Sequence, residues 1–425
     1  LKRINIKLEL IVIAAIIVGL YMAWNIGAND VANSMGPSYG SGALTLKQVI
    51  IIAGIFEFLG AVLVGSHVTD TIRKSIVDLD GLIAAGVTPD MFIYGMFAAL
   101  LASGLWITVA TFYRLPVSTT HSIVGAVAGF GLIVAITSAS SGVGDVVNIG
   151  KLLEIAASWI VSPISGAVLS FIIFMVIRNK ILDQDNPLEH AERLAPYLVG
   201  LVVAIISLSM VFKGLKNLGL DFGFAEALAI SIVIGIIAGV ITLFWVRGYK
   251  PKVKDEYQQV ENFFKYLMLL TACYIAFAHG ANDVANAIGP LAAVVDVVES
   301  EEITAKISVP LWILALGGIG IVIGISTWGY KVMETIGRKI TEITPTRGFA
   351  ATFGAATTVL ICSKLGMPIS TSHTLVGAVV GVGLAGGVGA LNLGVIKRIV
   401  YSWILTIPIA AILTIIIYKL VIFIV

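Results

Sequence analysis

The chain has 425 residues, of which 58 % are hydrophobic and 12 % charged, with a formal net charge of +2. Its mean hydropathy of +1.01 belongs to a polytopic membrane protein rather than a soluble domain. The thin, balanced charge excludes a nucleic-acid footprint, and the two cysteines, Cys273 and Cys362, fall inside apolar runs, which leaves neither a disulfide framework nor a ligand-spaced metal cluster.

In chain order, apolar runs predict about twelve transmembrane segments, at about 8–28, 49–66, 91–113, 122–137, 152–177, 196–212, 225–246, 263–279, 309–328, 349–363, 374–389 and 398–425. The first follows basic residues as a signal peptide would. It lacks an Ala-x-Ala cleavage pattern and runs straight into a polar phrase, so it reads as a retained helix. That phrase, Gly27-Ala28-Asn29-Asp30-Val31-Ala32-Asn33, returns letter for letter as Gly280-Ala281-Asn282-Asp283-Val284-Ala285-Asn286, and a Gly-Pro pair follows each copy. A second phrase, Pro116-Val117-Ser118-Thr119-Thr120-His121, is echoed by Pro368-Ile369-Ser370-Thr371-Ser372-His373.

Weaker echoes join Thr71-Ile72-Arg73-Lys74 to Thr335-Ile336-Gly337-Arg338-Lys339, and Ser158-Trp159-Ile160 to Ser402-Trp403-Ile404. Whole halves are therefore duplicated. The expected organisation is a first repeat over 1–177, a connecting region with two helices over 178–262, and a second repeat over 263–425. The polar phrase sits on the first and eighth segments, an odd number of crossings apart, so its copies face opposite ways. The parity holds even if the segments flanking the Pro-Ser-Thr phrases are re-entrant hairpins. The expected fold is thus an all-α polytopic membrane protein with inverted-topology repeats and broken or re-entrant helices. With both termini outside, the inner loops collect Arg178, Lys180, Arg193, Arg247, Lys250, Lys252, Lys254, Arg338, Lys339, Arg347, Lys397 and Arg398, against Lys2, Arg3 and Lys7 on the other side.

Asn29 and Asn33 share a helix face with Asp30 a step round, so two amides and a carboxylate converge, and Asn282, Asp283 and Asn286 repeat the set. Gly27 and Gly36-Pro37 weaken the helix on either side, and a helix broken at membrane depth would add free carbonyl oxygens. Such oxygens suit a hard cation such as sodium. One cluster of this kind could merely bond helices together, but an intramembrane acid recurring in an identical setting points to a site. Pro116 and Pro368 break helices, and Ser118-Thr119-Thr120 and Ser370-Thr371-Ser372 are N-cap types that open the helices beyond. Free amides, hydroxyls and a positive dipole end form an anion site without Arg or Lys, and two such sites could wrap a tetrahedral oxyanion.

His121 and His373 are expected mainly to orient neighbours through hydrogen bonds, although the histidine pKa keeps proton coupling open. Glu57 falls in mid-segment, where an acid is costly, and Ile313 to Gly324 in the other half has none, so its role would be asymmetric. Arg73-Lys74 and Arg338-Lys339 would draw anions into opposite vestibules or, more simply, snorkel.

The two phrases, present in both halves, closely resemble those of the inorganic phosphate transporter (PiT) family, over nearly the whole chain from Leu8. The resemblance implies a secondary transporter, not an enzyme, that imports inorganic phosphate by symport with sodium or protons and needs no cofactor beyond the co-transported ion. By motif match, Asp30 and Asp283 correspond to the family's essential aspartates, and Ser118, Thr119, Thr120, Ser370, Thr371 and Ser372 to its phosphate-facing hydroxyls. Sodium would be held by Asn29, Asp30, Asn33, Asn282, Asp283 and Asn286, and Glu57 matches a family acid in a Phe-Glu-x-x-Gly segment. Short linkers are similar to those of prokaryotic members, which implies an inner or plasma membrane location; a homodimer is compatible with this reading. Competing readings are a proton-coupled phosphate or metal-phosphate carrier, a sulfate permease and an uncoupled channel. A hydrolase built from Ser118, His121 and Asp30 lacks a Gly-x-Ser-x-Gly elbow, and duplication suits a symmetric binding site better.

Overall fold

The computed structural model describes residues 2–65, 76–214, 222–248, 255–303, 309–364 and 370–424, and these are predominantly helical. The long helices of the first half are α1 (Lys2–Asn25), α2 (Ala32–Gly40), α3 (Leu46–Val64), α4 (Pro89–Phe112), α5 (Thr119–Thr137) and α6 (Ile149–Ile177). A connecting pair, α7 (Pro187–Ser209) and α8 (Phe224–Gly248), precedes α9 (Glu256–Asp283), α10 (Ala285–Ser300), α11 (Leu311–Thr327), α12 (Pro345–Lys364), α13 (Thr371–Leu384) and α14 (Leu393–Ile424). The Thr71 to Lys74 echo, Pro368, Ile369, Lys250, Lys252 and Lys254 lie outside the described residues.

Among the described residues nine helical stretches are long and apolar enough to cross a bilayer, and α11, bent by 55° into residues 330–339, makes a tenth. Helices α12 and α13 account for the remaining two expected segments. The 14 residues of α13 rise about 21 Å, short of the roughly 30 Å hydrocarbon core. Helix α5 is the centre of the bundle, with 83 % of its most apolar window buried, whereas α14 buries only 17 % and presents an apolar face outward, as lipid requires.

The expected interruption of the helix at the first Asn-Asp phrase takes a milder form. Residues Ile26–Val31 make a π-helical turn between α1 and α2, and Pro37 is carried within α2. Wide turns of this kind re-aim side chains without unwinding the backbone. The second copy passes from α9 to α10 at Val284. The Pro-Ser-Thr phrases do start helices: the Ser118 hydroxyl accepts the His121 N–H, and the Ser370 hydroxyl accepts the His373 N–H, each at 3.3 Å.

Packing pairs exchange when the halves are swapped. Helix α1 lies on α11 as α9 lies on α3, α5 on α14 as α13 on α6, and α4 on α14 as α12 on α6. Glycines set the closest of these approaches. A β-carbon at Gly27 would stand 1.9 Å from the Ile321 carbonyl oxygen, and one at Gly280 2.2 Å from that of Glu57. Small residues at membrane helix interfaces let backbones touch, which supplies the dispersion energy that water cannot drive there.

Gly27→Ala or Gly280→Ala is therefore expected to destabilise the purified protein by about 1–3 kcal/mol, because the obstacle is backbone and cannot rotate away. Gly144→Ala meets nothing within 4 Å and should leave the thermal midpoint in detergent unchanged. Equal midpoints for all three variants would contradict the close approach.

Candidate substrate and ion site

The two halves meet at Asp30 and Asp283, both buried. Asp30 Oδ2 accepts the Thr119 hydroxyl at 2.6 Å from its own half, and its Oδ1 accepts a short bond from the Ser372 hydroxyl of the other half. Asp283 mirrors this: Thr371 of its own half donates to Oδ2 at 3.5 Å, and Thr120 of the other half to Oδ1 at 3.3 Å. The α5 and α13 N-termini thus each serve both acids. Asn286 ties the cluster together, donating to Thr119, Thr120 and Asp283 at 3.1, 3.0 and 3.2 Å.

Other expected site residues are engaged elsewhere. The Asn29 amide donates to Thr111 and to the Leu115 carbonyl, each at 2.9 Å, and its oxygen accepts the Val117 N–H at 3.0 Å. It anchors the loop leading to Ser118. Asn282 donates to the Ala278 carbonyl at 2.7 Å, one turn back on its own helix. Ser118 and Ser370 are occupied as helix caps, so Thr119, Thr120, Thr371 and Ser372 are the hydroxyls that reach the acids.

Asn33 is 1 % exposed, yet both polar atoms of its side chain lack a partner, although its counterpart Asn286 makes three bonds. A buried unpartnered amide calls for a water or a ligand. A cavity of about 50 Å³ opens nearby, lined by Ser34, His279, Asn282 and Thr371 among others.

The sequence pattern of the phosphate transporter family matches residues 26–414, a span that holds both aspartates and all four hydroxyls. The chain belongs to this family. It is 48 % identical over 404 residues to a Pyrococcus abyssi protein that bears the name of a phosphate permease, covering 95 % of this chain and 96 % of that one. It is 42 % identical over 440 residues to the inorganic phosphate transporter 2-1 of Arabidopsis thaliana, covering 98 % of this chain and 73 % of that one. Among solved structures, "The sodium-dependent phosphate transporter" superposes with a TM-score of 0.86 at 43 % identity, covering 98 % of this chain and 100 % of that one. These are transporters, not enzymes, and the hydrolase reading also fails on geometry: the Ser118 hydroxyl accepts the backbone N–H of His121 and caps a helix.

In this phosphate transporter one site residue escaped the sequence reading. His279 Nε2 lies 2.8 Å from Asp283 Oδ2 and 3.7 Å from Asp30 Oδ1, and its Nδ1 lies 3.1 Å from Glu57 Oε2. One ligand atom each from Asp30, His279 and Asp283 falls within 4.8 Å of the others, a donor set able to hold a cation. The available signal was asymmetry. The residue before the motif glycine is Ile26 in one half and His279 in the other. The backbone abutting that glycine is Ile321 in one half and Glu57 in the other. An apolar pair in one half is thus an ionisable pair in its mirror. His121 and His373 depart from expectation differently. Their rings meet edge-on with centroids 4.7 Å apart, and His373 stacks on Trp403 at 3.8 Å with neither ring nitrogen bonded, so packing rather than hydrogen bonding holds it.

Asn29→Ala should lower unfolding stability in ligand-free detergent by about 1–3 kcal/mol, because it strands buried partners at Thr111, Leu115 and Val117. Asn33→Ala strands none and should leave stability unchanged. Similar midpoints for both variants would refute this division of labour.

Proposed function

We propose that this phosphate transporter imports inorganic phosphate by symport with sodium, binding both at the junction of Asp30, Asp283 and the four hydroxyls. The observation that carries the reading is the crossed pattern, in which each aspartate takes one hydroxyl from each half. Hydroxyls and helix N-termini suit a tetrahedral oxyanion, and carboxylates suit a hard cation. No Lys or Arg is hydrogen-bonded to either aspartate among the described residues.

Charge then dictates coupling. A carboxylate and an anionic oxygen about 4 Å apart repel by roughly 4 kcal/mol at an effective dielectric of 20. Each helix end offsets only about half a charge. Sodium between the acids and the substrate turns repulsion into attraction, so phosphate binds tightly only after the cation, which is thermodynamic coupling. Asn282 and Thr371 line the small cavity, and with Asn33 and Asn286 they complete the sodium and phosphate contacts in this proposal, while Asn29 positions the loop. Phosphate keeps a proton at neutral pH that it can donate to Asp30 or Asp283, and sulfate has none, which favours phosphate. The His279–Glu57 pair supports a second reading, in which protons drive uptake. We further place the chain in the inner or plasma membrane as inverted repeats 1–177 and 263–425, with both termini outside, as a homodimer.

Uptake into proteoliposomes tests the main reading. A sodium gradient should drive phosphate accumulation, with a Hill coefficient for sodium above one, and sulfate in excess should compete poorly. Asp30→Asn and Asp283→Asn should each nearly abolish uptake while the protein remains extractable and folded. Uptake driven by a proton gradient alone would replace sodium coupling with the proton reading, and equal competition by sulfate would overturn phosphate selectivity.

A further inference from the structure

Three cations surround one small concavity beside the loop that leads into α5. Arg114, Lys339 and Arg398 line it together with Tyr113 and Thr335, its volume is about 120 Å³, and no acid lines it. That is room for several waters or one small oxyanion. Arg114 Nη1 lies 2.8 Å from Glu334 Oε2, and Lys339 Nζ lies 4.0 Å from Glu334 Oε1. Arg398 has no ion pair among the described residues, so one acid, Glu334, serves two of the three cations and the concavity keeps a net positive charge.

Two further observations bear on its use. Arg114 has φ of 59°, in the left-handed region where glycine is the easy choice, yet the position carries a guanidinium. Its carbonyl accepts the Thr335 hydroxyl at 2.9 Å, and the next carbonyl, of Leu115, accepts Asn29. The surroundings have the composition of a membrane–water interface: Phe112 and Tyr113 are exposed and meet edge to face at 5.3 Å, and Lys331 Nζ sits 3.6 Å above the Trp328 ring.

We propose that the Arg114–Lys339–Arg398 concavity is a phosphate-oxyanion site at the membrane interface, separate from the buried aspartates and independent of which ion drives transport. Guanidinium forks and an ammonium around a recess of this size are the donors such an oxyanion needs. Two sources carry this chemistry, inorganic phosphate in solution and the phosphodiester headgroup of an anionic lipid.

The test reads Lys339 acylation by mass spectrometry in the full chain, reconstituted in phosphatidylcholine vesicles with or without phosphatidylglycerol and with reagent on both faces. Inorganic phosphate at about ten times its dissociation constant should slow Lys339 acylation about tenfold relative to chloride at equal ionic strength, the free fraction that one-site saturation leaves. Protection by phosphate assigns the site to the solute, and protection by phosphatidylglycerol assigns it to the bilayer. Arg398→Gln should remove the protection, as should Arg114→Gly, which suits the local backbone and so preserves folding. Equal acylation under all conditions, or protection that survives Arg398→Gln, overturns the proposal. Asp283→Asn must keep the protection; its loss would trace the effect to the buried cluster and overturn the separate site. Because no uptake is measured, failure of the sodium reading leaves this result standing.

Discussion

Asp30 and Asp283 converge on one imidazole nitrogen of His279 in a setting closed to bulk water. Like charges about 4 Å apart repel by roughly 4 kcal/mol even at an effective dielectric of 20, and burial withholds the water that would screen them. The surrounding architecture answers that repulsion. Hydroxyl and amide donors point at the carboxylates from both halves, the N-termini of α5 and α13 face them, and His279 stands between them. Glu57 Oε2 lies 3.1 Å from Nδ1 on the far side of the imidazole, so the ring stands among three carboxylates. A cluster with this balance has little tolerance for a further anion without a further cation.

Such convergence demands close helices. The glycines at positions 27 and 280 bring α1 against α11 and α9 against α3 backbone to backbone, and each lies within a few residues of its aspartate. The motif glycine therefore acts in packing as well as in the phrase itself. Any side chain there would push the aspartate away from the hydroxyls of the opposite half. Asn29 does the same work for the loop before α5, so the phrase contains both the buried acid and the residues that fix its distance from its partners.

Much of this was legible in the residues. The apolar segments follow from long uncharged runs, and the site follows from two polar phrases repeated in one order, because a duplicated acid inside an apolar run has few structural uses. The crossing of hydroxyls between halves was not legible: the meeting of Ser372 with Asp30 depends on how α13 settles against α2, which no local spacing encodes. His279 was overlooked for a related reason. A lone histidine in an apolar run resembles a core residue until Glu57, far away in sequence, is seen beside it. The π-helical turn at Ile26–Val31 was equally hidden, since Gly27 and Pro37 permit a break, a bend or a wide turn, and tertiary packing selects among them. The low apolarity of α12 has a packing origin too, because Thr346, Thr352 and Thr358 face protein rather than lipid.

The crossed hydroxyls carry a consequence for how such a chain can arise and be divided. A polypeptide holding only the first half would offer Asp30 with Thr119 and nothing from the far side, and one holding only the second would offer Asp283 with Thr371. Neither fragment owns the complete acid–hydroxyl cluster. Two separate halves could complete it only by each lending a hydroxyl to the other's acid, and joining them in one chain fixes that pairing permanently. Once fused, the copies are free to differ wherever the shared pocket gains from it, as at Ile26 and His279, but Thr120 and Ser372 remain answerable to the acid of the opposite half.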